Sequence, residues 1–231
     1  MNLFFAEPGE IFDGRIIIRG QEANHITRVL RMSDGDPIHV TDGRGNLYKG
    51  TIQDIAKKHV GISIGEFEEM KQSSVFTTLC LGYIRKRDRM EFAVEKCVEL
   101  GIRQIVIFRG EHSQKGGLRL ERLRSTALSA MKQSLRCYLP DIFVEDSLEE
   151  ALSKYARGSE IFLADEKAVP DESRASLGDE SRFLVVGPEG GFSTKERQLL
   201  QSNNPVTVSL GRYRLRAETA AVVMAARYTA D

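Results

Sequence analysis

No stretch of this 231-residue sequence approaches the ~20 consecutive apolar residues that a bilayer-spanning helix requires. Its first residues, Met1-Asn2-Leu3-Phe4-Phe5-Ala6-Glu7, lack the basic region and long apolar stretch of a secretory signal. Cysteine is scarce: Cys80, Cys97 and Cys137 are odd in number, widely spaced and set among apolar neighbours. That pattern excludes a disulfide framework or a zinc site and reads as reduced core residues, so a cytoplasmic protein is expected. Histidine is also sparse, and His25, His39, His59 and His112 show no metal-ligand spacing with one another or with the cysteines. No metal is expected, and no Ser–His–Asp or Cys–His set suggests itself. Two phosphate-binding fingerprints are missing: there is no Gly-x-x-x-x-Gly-Lys-Ser/Thr and no Gly-x-Gly-x-x-Gly. Internal repeats and low-complexity tracts are absent as well.

What is present is an ordinary globular composition, 41% hydrophobic and 29% charged, in a chain long enough for one large domain or two small ones. The net charge of zero is unevenly distributed. Residues 1–72 carry a net −2, residues 82–136 a net +7 and residues 137–231 a net −5. A basic central segment is the footprint of a polyanionic partner, although charges that merely solvate helix faces give the same count.

Residues 1–72 read as a small β-rich domain with strands at 16–19, 37–41, 47–52 and 60–66. In the last of these Val60, Ile62 and Ile64 alternate with Gly61, Ser63 and Gly65. One helix, 22–32, interrupts the strands, and the polar run 66–74 reads as a linker. From residue 73 onward strands and helices alternate. Strands are expected at 75–82, 104–108, 142–144 and 161–164, with helices at 88–100, 118–135, 148–155, 193–201 and 218–228. Asp88 with Glu91, and Ser193 with Glu196, have the spacing of capping boxes, and Gly101 suits a helix stop. The pattern predicts an α/β domain, 73–231, with a mostly parallel sheet and helices on both faces, behind a small β-barrel.

Two glycine-rich turns stand out near the end of the chain. Gly187-Pro188-Glu189-Gly190-Gly191-Phe192-Ser193 follows the apolar run 183–186, and Leu210-Gly211-Arg212-Tyr213-Arg214-Leu215-Arg216-Ala217-Glu218-Thr219 follows 206–209. Each is a strand exit feeding a helix, where backbone N–H groups are available to a ligand and glycine lets the main chain approach it. Glu189 in the middle of the first turn disfavours phosphate. An uncharged or cationic nucleoside cofactor fits better, and S-adenosylmethionine joins a neutral adenosine to a sulfonium cation. Tight strand exits with no ligand are the plain alternative.

The segments Gly187-Pro188-Glu189-Gly190-Gly191-Phe192, Leu210-Gly211 and Leu215-Arg216-Ala217-Glu218-Thr219-Ala220 resemble the signature of the SPOUT methyltransferases. More narrowly, they resemble the ribosomal RNA small-subunit methyltransferase E family. The likeness extends to Lys86-x-Asp88-Arg89-Met90-Glu91 before Glu99-Leu100-Gly101-Ile102, and to Lys132-Gln133-Ser134-x-Arg136-x-x-x-Pro140. It also takes in His25-Ile26-x-x-Val29-Leu30-Arg31 with Gly35-Asp36. Glu111-His112-Ser113 departs from the acidic-Arg-Ser step frequent in that family. The resemblance implies a PUA-like N-terminal β-barrel for RNA binding. It further implies a C-terminal α/β domain with a deep trefoil knot in about 160–231, and a homodimer with its pockets at the subunit interface. The implied reaction is methyl transfer from S-adenosylmethionine to N3 of a uridine in 16S rRNA near the decoding region of the small ribosomal subunit. A ribose 2′-hydroxyl or a guanine is the alternative target within that fold, and a non-catalytic RNA-binding protein is the alternative outside it.

The resemblance implies cofactor contacts from Leu163, Gly187, Pro188, Glu189, Gly190, Gly191, Leu210, Gly211, Leu215, Arg216 and Ala217. Arg216 is the leading catalytic candidate, since it could stabilise negative charge on a deprotonated uracil. Glu189 and Arg136 are the others, with Glu189 a cofactor contact or a base and Arg136 a clamp or a surface charge. Glu218 is equally explained as an acid in a helix's first turn. Arg28, Arg31, Lys86, Arg87, Arg89 and Arg136 are candidate RNA contacts, each also readable as an ordinary solvated charge. Gly190→Val is expected to abolish cofactor binding by filling ligand space.

Overall fold

The computed structural model describes residues 2–56, 59–113, 116–168 and 180–229. The chain divides into two compact units, Met1–Gln72 with Met131–Leu139, and Ser73–Ala130 with Pro140–Asp231.

Six strands build the first unit: β1 (Leu3–Phe5), β2 (Ile11–Phe12), β3 (Arg15–Arg19), β4 (Pro37–Thr41), β5 (Asn46–Ile55) and β6 (His59–Glu69). They form one open sheet in the order β1-β4-β5-β6-β3-β2, antiparallel except for β1 beside β4. The alternation read in 60–64 puts Val60 and Ile62 opposite Ile18 and Ile16, and all four are buried with Phe4, Ile26, Ile38, Val40 and Ile52. The first part of the polar run expected as a linker, as far as Glu69, instead continues β6, with Phe67 in register with Tyr48.

The expected helix 22–32 is shorter and wider. Helix α1 (Gly20–Asn24) passes at His25–Val29 into π-type turns, in which Leu30 donates to the His25 carbonyl and Arg31 takes a φ of +54°. Residues 131–139, expected within the second domain, belong to this unit. Gly45 N–H donates to the Cys137 carbonyl at 2.8 Å, Leu139 N–H to Gly43 at 2.8 Å, and the Tyr138 hydroxyl to Met70 at 2.9 Å. Lys132 grips both oxygens of Glu22 at 2.8 Å. The turn 42–46 supplies the backbone partners, a pairing invisible in local patterning.

In the second unit β7 (Thr77–Gly82), β8 (Gln104–Phe108), β9 (Asp141–Glu145), β10 (Ser159–Ala164), β11 (Ser181–Val186) and β12 (Val206–Val208) make an all-parallel sheet. Its order is β12-β10-β11-β7-β8-β9. Parallel central strands are covered on both faces and read as unbroken apolar runs, and every residue of β7 is buried. The helices are α2 (Arg87–Glu99), α3 (Leu120–Gln133), α4 (Leu148–Tyr155), α5 (Thr194–Ser202) and α6 (Ala217–Tyr228). Leu148, Ala151 and Leu152 of α4 and Leu200 of α5 share a core with Cys80, Val106, Phe108, Phe183 and Val185. Helix α2 packs against α6, which lies on β7 and β11.

The box of Ser193 and Glu196 starts α5, with both reciprocal hydrogen bonds made. Asp88 does not cap α2: the helix begins one residue earlier, Lys86 stands at its N-cap, and Glu91 turns to Arg87 and Arg122 instead. Gly101 stops α2 with a φ of +88°. Arg182, itself buried, donates to the Tyr228 carbonyl at 2.7 Å and so fastens the C-terminal end of α6. All three cysteines are free and buried. Burial pushes the Cys97 thiol up to about 12 and the Cys80 thiol higher still, which keeps both protonated and inert at neutral pH. Among the described residues no helix is long and apolar enough to cross a membrane.

Candidate active site

Strands β10 and β11 lie side by side, yet the chain leaves β10 toward β11 and leaves β11 toward β12 on the far side of β10. Their carboxyl ends therefore open a crevice, the usual ligand position in an open parallel sheet. A cavity of about 440 Å³ occupies it, within the roughly 300–1,000 Å³ of small-molecule sites. Ala164, Asp165 and Glu166 enter from the end of β10, the turn after β11 supplies a second wall, and the segment from Leu210 into the start of α6 supplies the third.

The first turn is held by close packing that only glycine permits. A Cβ on Gly82, at the end of β7, would lie 2.3 Å from the Pro188 nitrogen, and one on Gly110, after β8, would lie 3.0 Å from the Pro188 ring. Pro188 is thus seated over the ends of two neighbouring strands. Within the turn a Cβ on Gly187 would meet the Phe192 ring at 2.9 Å, and Gly191 takes a φ of +72°. Phe192 in turn stacks on Phe108, the rings 5° from parallel. The buried Glu196 accepts from Ser193 N–H at 2.7 Å and from Glu111 N–H at 3.1 Å, tying α5, the turn and the 110–113 loop together.

Gly187, Pro188, Glu189 and Gly191 of the expected cofactor set line the cavity, as do Leu210, Gly211, Leu215, Arg216 and Ala217. Leu163 and Gly190 do not. Leu163 points into the opposite core with Val185, because side chains alternate along a strand, and its neighbour Ala164 faces the cavity instead. A Cβ on Gly190 would meet not ligand space but His112, at 2.9 Å from both its Cβ and its carbonyl oxygen. The Glu111-His112-Ser113 departure is therefore the neighbour against which the turn packs. Gly190→Val is now expected to push that loop away and to lower the thermal midpoint together with cofactor affinity. A variant that loses affinity at the parent's midpoint would return Gly190 to the cavity wall.

The acids of the cavity each meet an arginine. Asp165 pairs with Arg197 at 3.4 Å, Glu166 with Arg214 at 3.2 Å, and Glu189 with Arg89 at 2.9 Å. Among the described residues the cavity's remaining arginine, Arg216, makes no ion pair. Arg89 also reaches Glu218 at 3.5 Å, so it is committed to two carboxylates rather than offered to RNA. Glu218 is only 6% exposed, and its Oε2 is buried with no hydrogen-bond partner among the described residues. It is thus more than a surface acid answering a helix dipole. Lys86 and Arg87 are exposed, the latter beside Glu91 at 3.4 Å. Arg28 and Arg31 are exposed on the first unit, and Arg136, half-buried, follows α3 within that unit. Among the described residues no cluster of His, Cys, Asp or Glu could hold a metal.

Sequence reasoning missed Asp165, Glu166, Phe192, Arg197, Tyr213 and Arg214 as cavity residues. Asp165-Glu166 leave β10 as Gly187-Pro188 leave β11, and that equivalence was the available signal. Arg197 carried none.

A small β unit and, separately, an all-parallel sheet with a glycine-walled crevice define the class: residues 71–229 match the RNA methyltransferase domain, and residues 18–64 the RNA methyltransferase PUA domain. The ribosomal RNA small subunit methyltransferase E of Rickettsia conorii is 30% identical over 210 residues, covering 88% of this chain and 84% of that one. The crystal structure of a probable rRNA-methyltransferase from Porphyromonas gingivalis is 32% identical with a TM-score of 0.83, over 97% of this chain and 95% of that one. At 24% identity, the ribosomal RNA small subunit methyltransferase E from Neisseria gonorrhoeae, bound to S-adenosyl methionine, shares the fold with a TM-score of 0.86, over 98% and 96% of the two chains. This chain belongs to the ribosomal RNA small-subunit methyltransferase E family.

Proposed function

We propose that the chain methylates N3 of a uridine in the 16S RNA of the small ribosomal subunit, with S-adenosylmethionine as donor. The carrying observation is the charge pattern of the cavity: three acids each matched by an arginine, with Arg216 left unmatched among the described residues. A balanced lining suits a cofactor that itself carries a carboxylate, an ammonium and a sulfonium. Gly187, Gly191 and Gly211 let the main chain approach it, and Glu189, oriented by Arg89, offers a carboxylate to its cationic groups. When bound, the cofactor supplies a methyl group made electrophilic by the sulfonium.

The chain's own part concerns the nucleophile. Uridine N3 carries a weakly acidic proton, and its loss spreads negative charge over O2 and O4. Arg216, the N-cap residue of α6, presents a planar guanidinium to that charge. Arg28, Arg31, Lys86, Arg87 and Arg136 contact the RNA backbone in this reading. Arg89 is assigned to the site instead. The same reading takes a homodimer and a trefoil knot in about 160–231. The knot is supported by the strand order β12-β10-β11, in which the chain passes back beyond β10 after β11.

Calorimetry with S-adenosylmethionine is expected to give saturable binding; its absence would leave an RNA-binding role alone. Nucleosides from the small-subunit RNA of a deletion strain are expected to lack N3-methyluridine. Intact N3-methyluridine, or loss of a ribose or guanine methyl group instead, would overturn the target.

A further inference from the structure

Tyr213 is 79% exposed, more than any other large hydrophobic side chain among the described residues, and it lines the cavity. Its presentation is built. At the start of the loop Arg227 donates to the Ser209 carbonyl at 2.8 Å and Asp165 N–H to Val208 at 3.0 Å, and at the end α6 begins. Between those anchors the chain reads Arg212-Tyr213-Arg214-Leu215-Arg216, and the Arg212 guanidinium lies 5.9 Å from the ring centroid. An aromatic ring left in water beside a cavity, with a guanidinium next to it in an arginine-rich segment, is shaped for a flat, apolar-faced group on a polyanion.

We propose that Tyr213 is a stacking platform for an unpaired nucleobase of the RNA substrate, an assignment that rests on the RNA methyltransferase reading above. N3 lies on the edge of uracil that pairs in a duplex, so the target base must be unpaired, or extruded from its helix, before N3 can be reached. An extruded base loses its stacking neighbours. Tyr213 restores one at the mouth of the cavity, while Arg212 extends the stacked surface and helps hold the adjoining phosphates. A cationic segment with Arg212 beside the ring favours a polyanion over an uncharged protein surface.

The chain contains no tryptophan, so Tyr213→Trp installs a single indole reporter. Its emission is expected to be quenched by a short single-stranded RNA with a central uridine. The same RNA with an abasic site there should quench far less. Tyr213→Ala is expected to weaken RNA binding roughly 5- to 150-fold, the worth of one base–aromatic stack, with an unchanged thermal midpoint. Tyr213→Phe should restore most of the binding. Equal quenching by uridine and abasic RNA, or a Tyr213→Ala change in oligomeric mass with normal RNA affinity, would each overturn the assignment. Failure of S-adenosylmethionine to bind the parent chain would instead sink the methyltransferase reading, since the RNA titrations need no cofactor.

Discussion

Arg216→Ala is expected to lower the rate of methyl transfer by about 10²–10³-fold, the usual loss when one preorganised charge-stabilising donor is removed, with cofactor affinity close to the parent's. The split follows from what surrounds the residue. Its backbone is spent on structure: with φ −71° and ψ 155° it opens α6, and its carbonyl accepts from Ala220 N–H at 2.8 Å. Alanine preserves both roles, so the helix start and the turn remain. The side chain makes no cap hydrogen bond and no ion pair among the described residues, unlike Arg197 and Arg214 in the same cavity. A guanidinium kept unmatched in a cavity whose acids are already paired gains most when a new negative charge arrives, which here is the deprotonated uracil. Single-turnover rates at saturating cofactor, set beside calorimetric affinity, test this. Equal losses in rate and affinity would reassign Arg216 to cofactor binding, and Arg216→Lys should recover only part of the rate because an ammonium lacks the planar fork.

What was legible in the sequence is what is local. Ser193 and Glu196 announce the start of α5 because a capping box is written in four consecutive residues, and α4 falls at 148–155 as expected. The two glycine turns mark the site because their chemistry is contiguous. Phase inside a buried strand was not legible: the stretch 161–163 of β10 is buried on both faces, and in the sequence Leu163 and Ala164 could not be told apart. Nor could Asp88 be distinguished from Lys86 at the start of α2, where Glu91 is drawn away to Arg122, 31 residues on. Arg89 meets Glu189 across 100 residues of sequence, and only the packing of α2 against α6 brings Glu218 to the same guanidinium. The π-type turns at His25–Val29 break a helical periodicity that the spacing of Ile26, Val29 and Leu30 otherwise satisfies, and they leave Ile26 buried but Val29 exposed.

The same distinction between local and distant information governs Gly82→Ala, which is expected to destabilise the second unit and to abolish cofactor binding. Nothing in the run 77–82 marks Gly82 as functional, and it does not line the cavity. Its missing side chain is nevertheless what lets Pro188 sit where it does. The added methyl would lie 2.3 Å from the Pro188 nitrogen and 2.7 Å from its Cα, both backbone atoms that no rotamer change can move aside. Overpacking of this kind costs about 1–3 kcal/mol. Relief requires lifting the turn off the ends of β7 and β8, which carries Gly187, Glu189 and Gly191 out of the cavity wall and loosens the contact of Glu189 with Arg89. Gly117→Ala is the matched control, since a Cβ there meets nothing within 4 Å and the backbone imposes no left-handed strain. Thermal unfolding and cofactor calorimetry on the two variants separate the effects. A Gly82→Ala protein with parental midpoint and parental affinity would show that Pro188 is not the keystone of the turn, and that the cavity draws its shape from the Glu196 hydrogen bonds instead.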